Sequence, residues 1–322
     1  MSLNKLHSGK VFTIFFMPDA FVWVSLFFLT FAVVFLCLIV TNCLFSMQIK
    51  INNRLTDFSK PRVMGIVNVT PDSFYPGSRY QKEKSIVHVV EKMIQDGVFI
   101  LDLGAYSTRP GAEPVSAAEE IERLSLSLEI IVKRFPDLPL SVDTFRAQVA
   151  RHVVREFGVG MINDVGGGTL DAEMFETIAD LQVAYVLMHM RGTPQDMQAQ
   201  TRYENITSEV LGFLQKRIAQ LHLLGVNDVI ADPGFGFAKT AEQNFRLLRE
   251  MHYLNELNVP LLAGMSRKSM IYKTLDIEST DALNGTTALN MLALLNGAAI
   301  LRVHDVKEAV ETVKLFEQYR KA

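Results

Sequence analysis

Residues 138–165 read LPLSVDTFRAQVARHVVREFGVGMINDV, and this stretch decides the fold class. A short apolar run over 138–142 is followed by an amphipathic segment over 146–157, by Gly158, and by a second apolar run over 160–165. Nearly continuous apolar runs of this length are typical of parallel strands that are buried on both faces. A glycine directly after an amphipathic segment is typical of a helix end. The stretch therefore predicts a strand–helix–strand unit.

The same unit repeats along most of the chain. The apolar runs are Val63–Val69, Val98–Leu103, Leu138–Val142, Gly160–Val165, Val183–His189, Asp228–Ala231, Pro260–Gly264 and Ala299–Val303. The amphipathic segments are Glu83–Gln95, Ala117–Arg134, Arg146–Phe157, Asp171–Leu181, Thr207–Leu224, Ala241–Leu257, Leu283–Asn296 and Lys307–Arg320. Eight such repeats predict an α/β protein, a closed (β/α)8 TIM barrel, which typically has about 250 residues. An open doubly wound sheet is the alternative, but no G-x-G-x-x-G follows the first run.

A β-hairpin is predicted directly before the first barrel strand. Residues 47–60 read MQIKINNRLTDFSK, in which Ile49 and Ile51 alternate with polar residues and Asn52-Asn53 forms a turn signal. Two short strands around such a turn are typical of a hairpin. We expect this hairpin to close the bottom of the barrel.

The N-terminal part of the chain differs in composition. No charged residue occurs from Ala20 to Ile49, and a helical membrane span needs about 20 apolar residues. One interpretation is a membrane span with its C-terminal side in the cytoplasm, since positive charges follow it at Lys50, Arg54, Lys60 and Arg62. The other is a natural start at Met47. Both divide the chain into an apolar extension, 1–46, and a barrel, 47–322, that is expected in the cytoplasm.

Composition excludes several classes of function. The chain is 49% hydrophobic with a formal net charge of −3, which excludes a disordered protein and leaves no overall positive field for nucleic acid. Cys37 and Cys43 are too few for a disulfide framework or a four-cysteine zinc site. The expected partners are small molecules rather than nucleic acid.

Polar side chains cluster directly after the predicted strands, at the face where TIM barrels hold their sites. Asp143, Asn163 and Asp232 project from the ends of the third, fourth and sixth predicted strands. Together they can match a heterocycle edge that is rich in N–H donors, such as a 2-amino-pyrimidinone. Lys268, after the seventh run, could bond the ring carbonyl or a ring nitrogen. A single aspartate at a strand end is as often a helix N-cap, but three converging polar residues favour a site.

The other half of the predicted mouth carries donors for an anion. These donors lie at or just after the ends of the second and eighth runs: Ser107, Thr108, Arg109, Arg302 and His304. Phosphate binds frequently near the loops after strands seven and eight of such barrels. Asn68, at the end of the first run, offers an oxygen to Mg²⁺, which prefers few protein ligands plus phosphate oxygens. Two long loops, Thr70–Tyr80 and Ala105–Pro114, are predicted to close over the site; the alternative is that they are ordinary surface loops.

Six motifs in a fixed order carry a resemblance to a known family. They are NVTPDSF from Asn68, STRPG from Ser107, SVDT from Ser141, DPGFGF from Asp232, SRKS from Ser266 and RVHD from Arg302. Over residues 60–322 the chain resembles dihydropteroate synthase, the sulfonamide target of folate synthesis. The resemblance implies a (β/α)8 barrel, usually a homodimer. It implies an enzyme that joins 6-hydroxymethyl-7,8-dihydropterin diphosphate to p-aminobenzoate and releases diphosphate.

The resemblance also implies roles for individual residues. The pterin would be held by Asp143, Asn163, Asp232, Lys268 and Phe237. The diphosphate would be held by Asn68, Ser107, Thr108, Arg109, Arg302 and His304, with Mg²⁺ at Asn68. The p-aminobenzoate pocket would use Phe237, Lys268 and Ser269. The implied catalytic residues are Lys268, Asp232, Asp143 and Arg302, in a dissociative reaction in which diphosphate leaves before the amine attacks.

The sequence departs from the family in its first two motifs. Pro76 stands where an acid is common, Ala105 where glycine is usual, and Tyr106 where glutamate is commoner. These changes bear on loop dynamics and rate. Two alternatives remain: a methyl-tetrahydrofolate-dependent methyltransferase on a similar barrel, and a non-catalytic pterin-binding paralogue. The methyltransferase has no need of the SRKS motif or of Arg302 and His304, which favours the synthase.

Overall fold

The computed structural model describes residues 47–69, 79–106 and 115–322. Within them, a two-stranded antiparallel hairpin precedes a closed barrel of eight parallel strands, with order β10-β3-β4-β5-β6-β7-β8-β9. The strands are β1 (Gln48–Ile51), β2 (Arg54–Asp57), β3 (Arg62–Asn68), β4 (Ile100–Gly104), β5 (Leu140–Asp143), β6 (Met161–Asp164), β7 (Ala184–Met188), β8 (Val229–Asp232), β9 (Leu261–Ala263) and β10 (Ala298–Val303). The predicted TIM barrel is confirmed, and its strand bounds agree with the apolar runs to within two residues.

Helices connect successive barrel strands. The described α-helices are α1 (Arg79–Gln95), α2 (Ala117–Arg134), α3 (Ala147–Phe157), α4 (Met174–Leu181), α5 (Ile206–Leu223), α6 (Ala241–Arg249), α7 (Ser269–Leu275), α8 (Leu283–Leu295) and α9 (Val306–Lys321). Glycines with positive φ follow four of them, at Gly97, Gly158, Gly225 and Gly297, as predicted. Only glycine adopts this left-handed conformation without steric cost, so these positions stop the helices.

Two helix predictions need correction. The predicted helix Ala241–Leu257 is α-helical only to Arg249 and continues as a 3₁₀ helix over Met251–Leu257. Met251 and Leu254 are buried, and their spacing of three fits both helix types, so the pattern could not separate them. Helix α7 was not predicted at all. Its seven residues are too few to show a helical period, and it ends at Asp276 with a φ of 55°.

The hairpin closes the bottom of the barrel, as predicted. Asn52 and Asn53 have φ values of 48° and 60°, the left-handed pair that a two-residue hairpin turn requires. Ile49, Ile51 and Phe58 are buried in one cluster with side chains from the amino-terminal halves of the barrel strands: Met64, Ile100, Met161, Ala184, Ile230, Leu262 and Ile300. The opposite end, where the strands finish, is left for the candidate site.

The predicted apolar extension, 1–46, lies outside the described residues. Gln48 and Ile49, the last two residues of the uncharged segment 20–49, belong to β1 and not to a helix. In the ranges that the structure describes, no helix is long and apolar enough to cross a membrane. The membrane span and the start at Met47 therefore both stay predictions.

A chain that begins at Met47 is expected to unfold at the same temperature as the full chain. The reason is that the hairpin and all eight strands follow residue 46, and Ile49, Ile51 and Phe58 already cover the barrel bottom. Thermal unfolding followed by circular dichroism compares the two forms. A midpoint lowered by more than a few degrees in the shorter chain would show that residues 1–46 stabilise the barrel.

Candidate active site

Arg302 lies at the centre of the carboxyl end of the barrel. Its Nε donates to Oδ2 of Asp102 at 2.6 Å, and its Nη2 donates to Oδ2 of Asp143 at 2.7 Å. Nδ2 of Asn163 donates to the same oxygen of Asp102 at 2.9 Å. The four residues come from β10, β4, β5 and β6. The structure thus brings together the predicted residues Asp143, Asn163 and Arg302 in one charged network.

Asp102 belongs to this network, although the sequence analysis gave it no role. It is fully buried in the middle of the strand sequence ILDLG, where an ionisable residue among apolar ones was the available signal. Its Oδ2 accepts from both Arg302 and Asn163, whereas its Oδ1 has no hydrogen-bond partner among the described residues. A buried carboxylate is stable only when it is paired, so Asp102 fixes Arg302 and orients Asn163.

Asp232 and Lys268 occupy another side of the mouth. Oδ1 of Asp232 accepts from the backbone N–H of Gly234 at 2.7 Å. The Lys268 ammonium donates to the carbonyl of Phe235 and lies 4.6 Å from the ring centroid of Phe237. Lys268 immediately precedes α7, of which Ser269 is the first residue. The predicted residues Asp232, Phe237 and Lys268 therefore meet around the loop that follows β8, and Ser269 adjoins Lys268 in the chain.

Burial changes the proton affinity of the charged groups at the mouth. It raises the pKa of Asp143 to about 7, although Arg302 acts in the opposite direction. Burial also raises the pKa of Asp232, against the opposing charge of Lys268. The pKa of Lys268 is lowered to about 8 by burial, despite the nearby Asp232. Burial alone would lower the pKa of Arg302, but Asp102 and Asp143 reverse this and raise it. Arg302 thus stays charged while Asp143 and Lys268 titrate near neutral pH.

The motifs after β9 and β10 bind each other. Oγ of Ser266 lies 3.0 Å from Nδ1 of His304 and accepts from the His304 backbone N–H at 3.2 Å. Arg267 donates to both carboxylate oxygens of Asp305, at 2.9 and 2.8 Å. This bidentate ion pair fixes the backbone at Arg267, directly before Lys268, and at Asp305, directly after His304. The SRKS and RVHD motifs thus contain supporting residues whose role was not predicted: Ser266, Arg267 and Asp305.

Several predicted contacts cannot be placed. Ser107, Thr108 and Arg109 lie outside the described residues, as do most of the loops Thr70–Tyr80 and Ala105–Pro114. Their roles stay predictions. Asn68 ends β3 and is exposed. Its Oδ1 and Oδ2 of Asp143 both lie within about 4 Å of the point where a Cβ on Gly104 would be. The missing side chain of Gly104 therefore leaves a gap beside two oxygen ligands.

Comparison with known proteins decides the family. The sequence profile described as pterin binding enzyme matches residues 64–304. The dihydropteroate synthase of Synechocystis sp. is 40% identical over 275 residues, which cover 84% of this chain and 94% of the relative. This chain belongs to the dihydropteroate synthase family.

Solved structures of dihydropteroate synthases share the fold. The enzyme of Xanthomonas albilineans with 4-aminobenzoic acid superimposes with a TM-score of 0.79 at 38% identity, over 86% of this chain and 99% of that one. The same enzyme in complex with 7,8-dihydropteroate gives a TM-score of 0.75 at 36% identity, over 85% of this chain and 99% of that one. The relatives match the barrel nearly end to end, so the family assignment covers the whole candidate site.

Proposed function

We propose that the chain is a dihydropteroate synthase, a transferase of folate synthesis. It condenses 6-hydroxymethyl-7,8-dihydropterin diphosphate with p-aminobenzoate to give 7,8-dihydropteroate and diphosphate. The observation that carries the proposal is the meeting of Asp143, Asn163, Asp232 and Lys268 at one barrel mouth. It is supported by a family whose solved members hold 4-aminobenzoic acid and 7,8-dihydropteroate.

The pterin ring is assigned to the carboxylate side of the mouth. Asp232 is held through Oδ1 by the Gly234 amide, which orients its other oxygen, Oδ2. A carboxylate so fixed can accept from the 2-amino group and a ring N–H of a pterin at once, a strong charge-assisted contact. Asn163, fixed by Asp102, and Asp143, fixed by Arg302, supply further acceptors. Lys268 supplies a donor to the ring carbonyl or a ring nitrogen.

The leaving diphosphate is assigned to Arg302, His304 and the predicted donors Ser107, Thr108 and Arg109. Nε and Nη2 of Arg302 bind Asp102 and Asp143, which leaves Nη1 as the nitrogen that we assign to diphosphate. Arg302 would then hold the pterin side through Asp143 while stabilising the negative charge that develops as the C–O bond breaks. The amine of p-aminobenzoate attacks the resulting pterin cation beside Phe237 and Lys268. This route needs no covalent nucleophile.

We also propose a Mg²⁺ site at Asn68. The residues fit a site with Asn68 as the protein ligand, because Oδ1 of Asn68 borders the gap beside Gly104 and Mg²⁺ favours few protein oxygens. Oδ2 of Asp143 borders the same gap but already accepts from Arg302. Among the described residues no group of three or more histidine, cysteine or acidic side chains could hold a metal, so an all-protein cage is not what we propose. When bound, Mg²⁺ would neutralise charge on the departing diphosphate. Asn68→Ala should raise the Mg²⁺ concentration needed for half-maximal activity.

A homodimer is proposed from an apolar surface on two adjacent helices. Leu275 on α7 and Leu292 and Leu295 on α8 are about half exposed, at 51%, 45% and 49%. Leu292 and Leu295 are three residues apart and so share one face of α8. Exposed large apolar side chains of this kind mark interaction surfaces, and a second copy of the chain is the proposed occupant. Sedimentation should show a dimer, and Leu292→Glu together with Leu295→Glu should shift it to a monomer.

We place the barrel in the cytoplasm. The support is that four positive residues follow the apolar segment 20–49: Lys50, Arg54, Lys60 and Arg62. Cytoplasmic flanks of membrane spans carry such an excess. Mass spectrometry of the endogenous protein tests whether the segment is present. Peptides that end before residue 47 would support an anchor, and a mature N-terminus at Met47 would show that translation begins there.

Activity is expected to be highest between about pH 7 and pH 8. Below about pH 7, Asp143 gains a proton and loses its strength as an acceptor, because burial raises its pKa to about 7. Above about pH 8, Lys268 loses its proton, because burial lowers its pKa to about 8. The pH profile of kcat/KM measures both limbs. Lys268→Arg should move the alkaline limb upward. A flat profile from pH 6 to pH 9 would contradict the assignment of these groups.

Diphosphate release with and without p-aminobenzoate tests the function. The synthase should release diphosphate from the pterin substrate and form 7,8-dihydropteroate only when p-aminobenzoate is present. A methyltransferase would instead consume methyl-tetrahydrofolate without diphosphate release. A non-catalytic paralogue would bind a pterin without turnover. Either of the last two results would refute the proposal.

A further inference from the structure

The loop between β8 and α6 has an unusual backbone. Gly234, Gly236 and Ala238 have φ values of 70°, 82° and 51°, so three alternating residues are left-handed. Ala238 is fully buried, and a residue with a Cβ is disfavoured in this conformation. Such a backbone persists only where its surroundings over-determine it. The contacts of this loop should therefore reveal what holds it.

Lys239 holds the loop from inside. Its side chain is only 4% exposed, and its Nζ donates to the carbonyls of Gly234 at 2.9 Å and Phe237 at 3.0 Å. Nδ1 of His189 lies 3.0 Å from the same nitrogen, and the His189 carbonyl lies farther away at 3.4 Å. Burial lowers the pKa of Lys239 well below its usual value, against the nearby Asp232. The three close acceptors match the three N–H donors of the ammonium form, which this geometry therefore favours. Lys239 thus joins both ends of the loop to the end of β7.

His189, which directly follows β7, is suited to accept a hydrogen bond from Lys239. Burial, with the added effect of Lys239, lowers the pKa of His189 to about 2, so the imidazole is neutral and its Nδ1 can accept. The loop is also pressed against this residue. A Cβ on Gly234 would lie 2.0 Å from the His189 carbonyl oxygen, so only glycine fits there. The loop, His189 and Lys239 therefore form one closely packed unit.

This unit carries two residues of the candidate site. Lys268 donates to the carbonyl of Phe235, which lies between the two carbonyls that Lys239 binds. Lys239 binds the carbonyl of Phe237, and the Phe237 ring faces the Lys268 ammonium. The backbone of Asp232, in contrast, is held in β8, and the loop reaches its side chain only through the Gly234 amide. A change at Lys239 should therefore reach Phe237 and Lys268 more strongly than Asp232.

We propose that Lys239 is a positioning residue for p-aminobenzoate, holding the 233–238 loop in the shape that presents Phe237 and Lys268 to that substrate. The proposal rests on the proposed function for the identity of the substrate. Lys239 itself touches neither substrate. It acts through the carbonyls of Gly234 and Phe237, and its effect on the reaction is therefore indirect.

Lys239→Met tests the proposal, because methionine keeps the unbranched stem and removes all three donors. We expect the KM for p-aminobenzoate to rise at least tenfold and the KM for the pterin diphosphate to rise by a clearly smaller factor, because Asp143 and Asn163 hold the pterin independently of the loop. Amide hydrogen exchange in a peptide spanning 233–240 should accelerate at least tenfold, with the barrel strands unchanged. Lys216→Met, which removes an exposed lysine on α5, is the matched control and should change neither quantity.

A rescue experiment separates positioning from a general loss of folding. In Lys239→Ala, propylammonium should restore the KM for p-aminobenzoate, whereas tetramethylammonium, which has no N–H donor, should not. Unchanged exchange and KM in Lys239→Met would overturn the proposal. So would equal rises in both KM values with a lower melting temperature. If Lys239→Met does not fold, Lys239→Gln, which keeps two donors, is judged by the same criteria.

The proposal and the proposed function can fail separately. If the unmodified protein forms no dihydropteroate, the proposed function is refuted. The role of Lys239 is then decided by the exchange measurement and by calorimetry with p-aminobenzoate alone. Faster exchange with weaker p-aminobenzoate binding in Lys239→Met would uphold the role, and no change in either would overturn it.

Discussion

Replacement of Arg302 by methionine should lower the free energy of unfolding by about 3–5 kcal/mol, because it leaves Asp102 and Asp143 without a counter-charge. It should also abolish condensation, because it removes the group assigned to the diphosphate. Asp102 is fully buried, and its Oδ2 would keep only the Asn163 amide as a partner once the guanidinium is gone. Asp143 loses its ion pair in the same step. Urea unfolding measures the stability, and the coupled assay with both substrates measures the activity.

The double variant Arg302→Met with Asp102→Asn separates stability from activity. Neutralising Asp102 removes the unpaired buried charge, so a large part of the lost stability should return. Activity should not return, since the nitrogen assigned to the diphosphate is still missing. A loss of less than 1 kcal/mol in the single variant would mean that water already compensates Asp102, and the network would not be the centre of the site.

Replacement of Asp232 by asparagine should weaken pterin binding by about 1.5–3 kcal/mol, roughly 10- to 150-fold, while the fold stays intact. The carboxylate accepts from every donor that faces it, whereas the amide turns an N–H toward one of them. Calorimetry with a pterin measures the affinity. Asp228→Asn is the matched control, because Asp228 adjoins the other end of the same strand and accepts from the Lys50 amide. Equal affinities for the Asp232 variant and the unmodified protein would refute the pterin assignment.

The barrel could be predicted from sequence because its information is local. Helix α2 was predicted at both bounds, since the Ser116 side chain caps its first turn and basic residues end it. The apolar runs likewise identify strands that are buried on both faces. Helix α7 could not be predicted, because seven residues contain no full pattern.

The sequence could predict which residues belong to the site but not which of their side chains bind each other. Arg302 was expected to face the diphosphate, yet its observed partners are Asp102 and Asp143, far away in sequence. Which side chains meet across a barrel depends on the register between strands, and that register is not written in any single motif. Asp102 and Lys239 were missed for the same reason, since their importance lies in buried contacts with distant strands.

The hairpin is synthesised long before the residue that it binds. Its backbone amide at Lys50 binds Asp228, which is 178 residues later. At a translation rate of about 5–20 residues per second, the hairpin leaves the ribosome about 10–40 seconds before this partner exists. During that interval Ile49, Ile51 and Phe58 have no complete surface to cover. The nascent chain therefore exposes these apolar side chains, and chaperones can bind them until the later strands emerge.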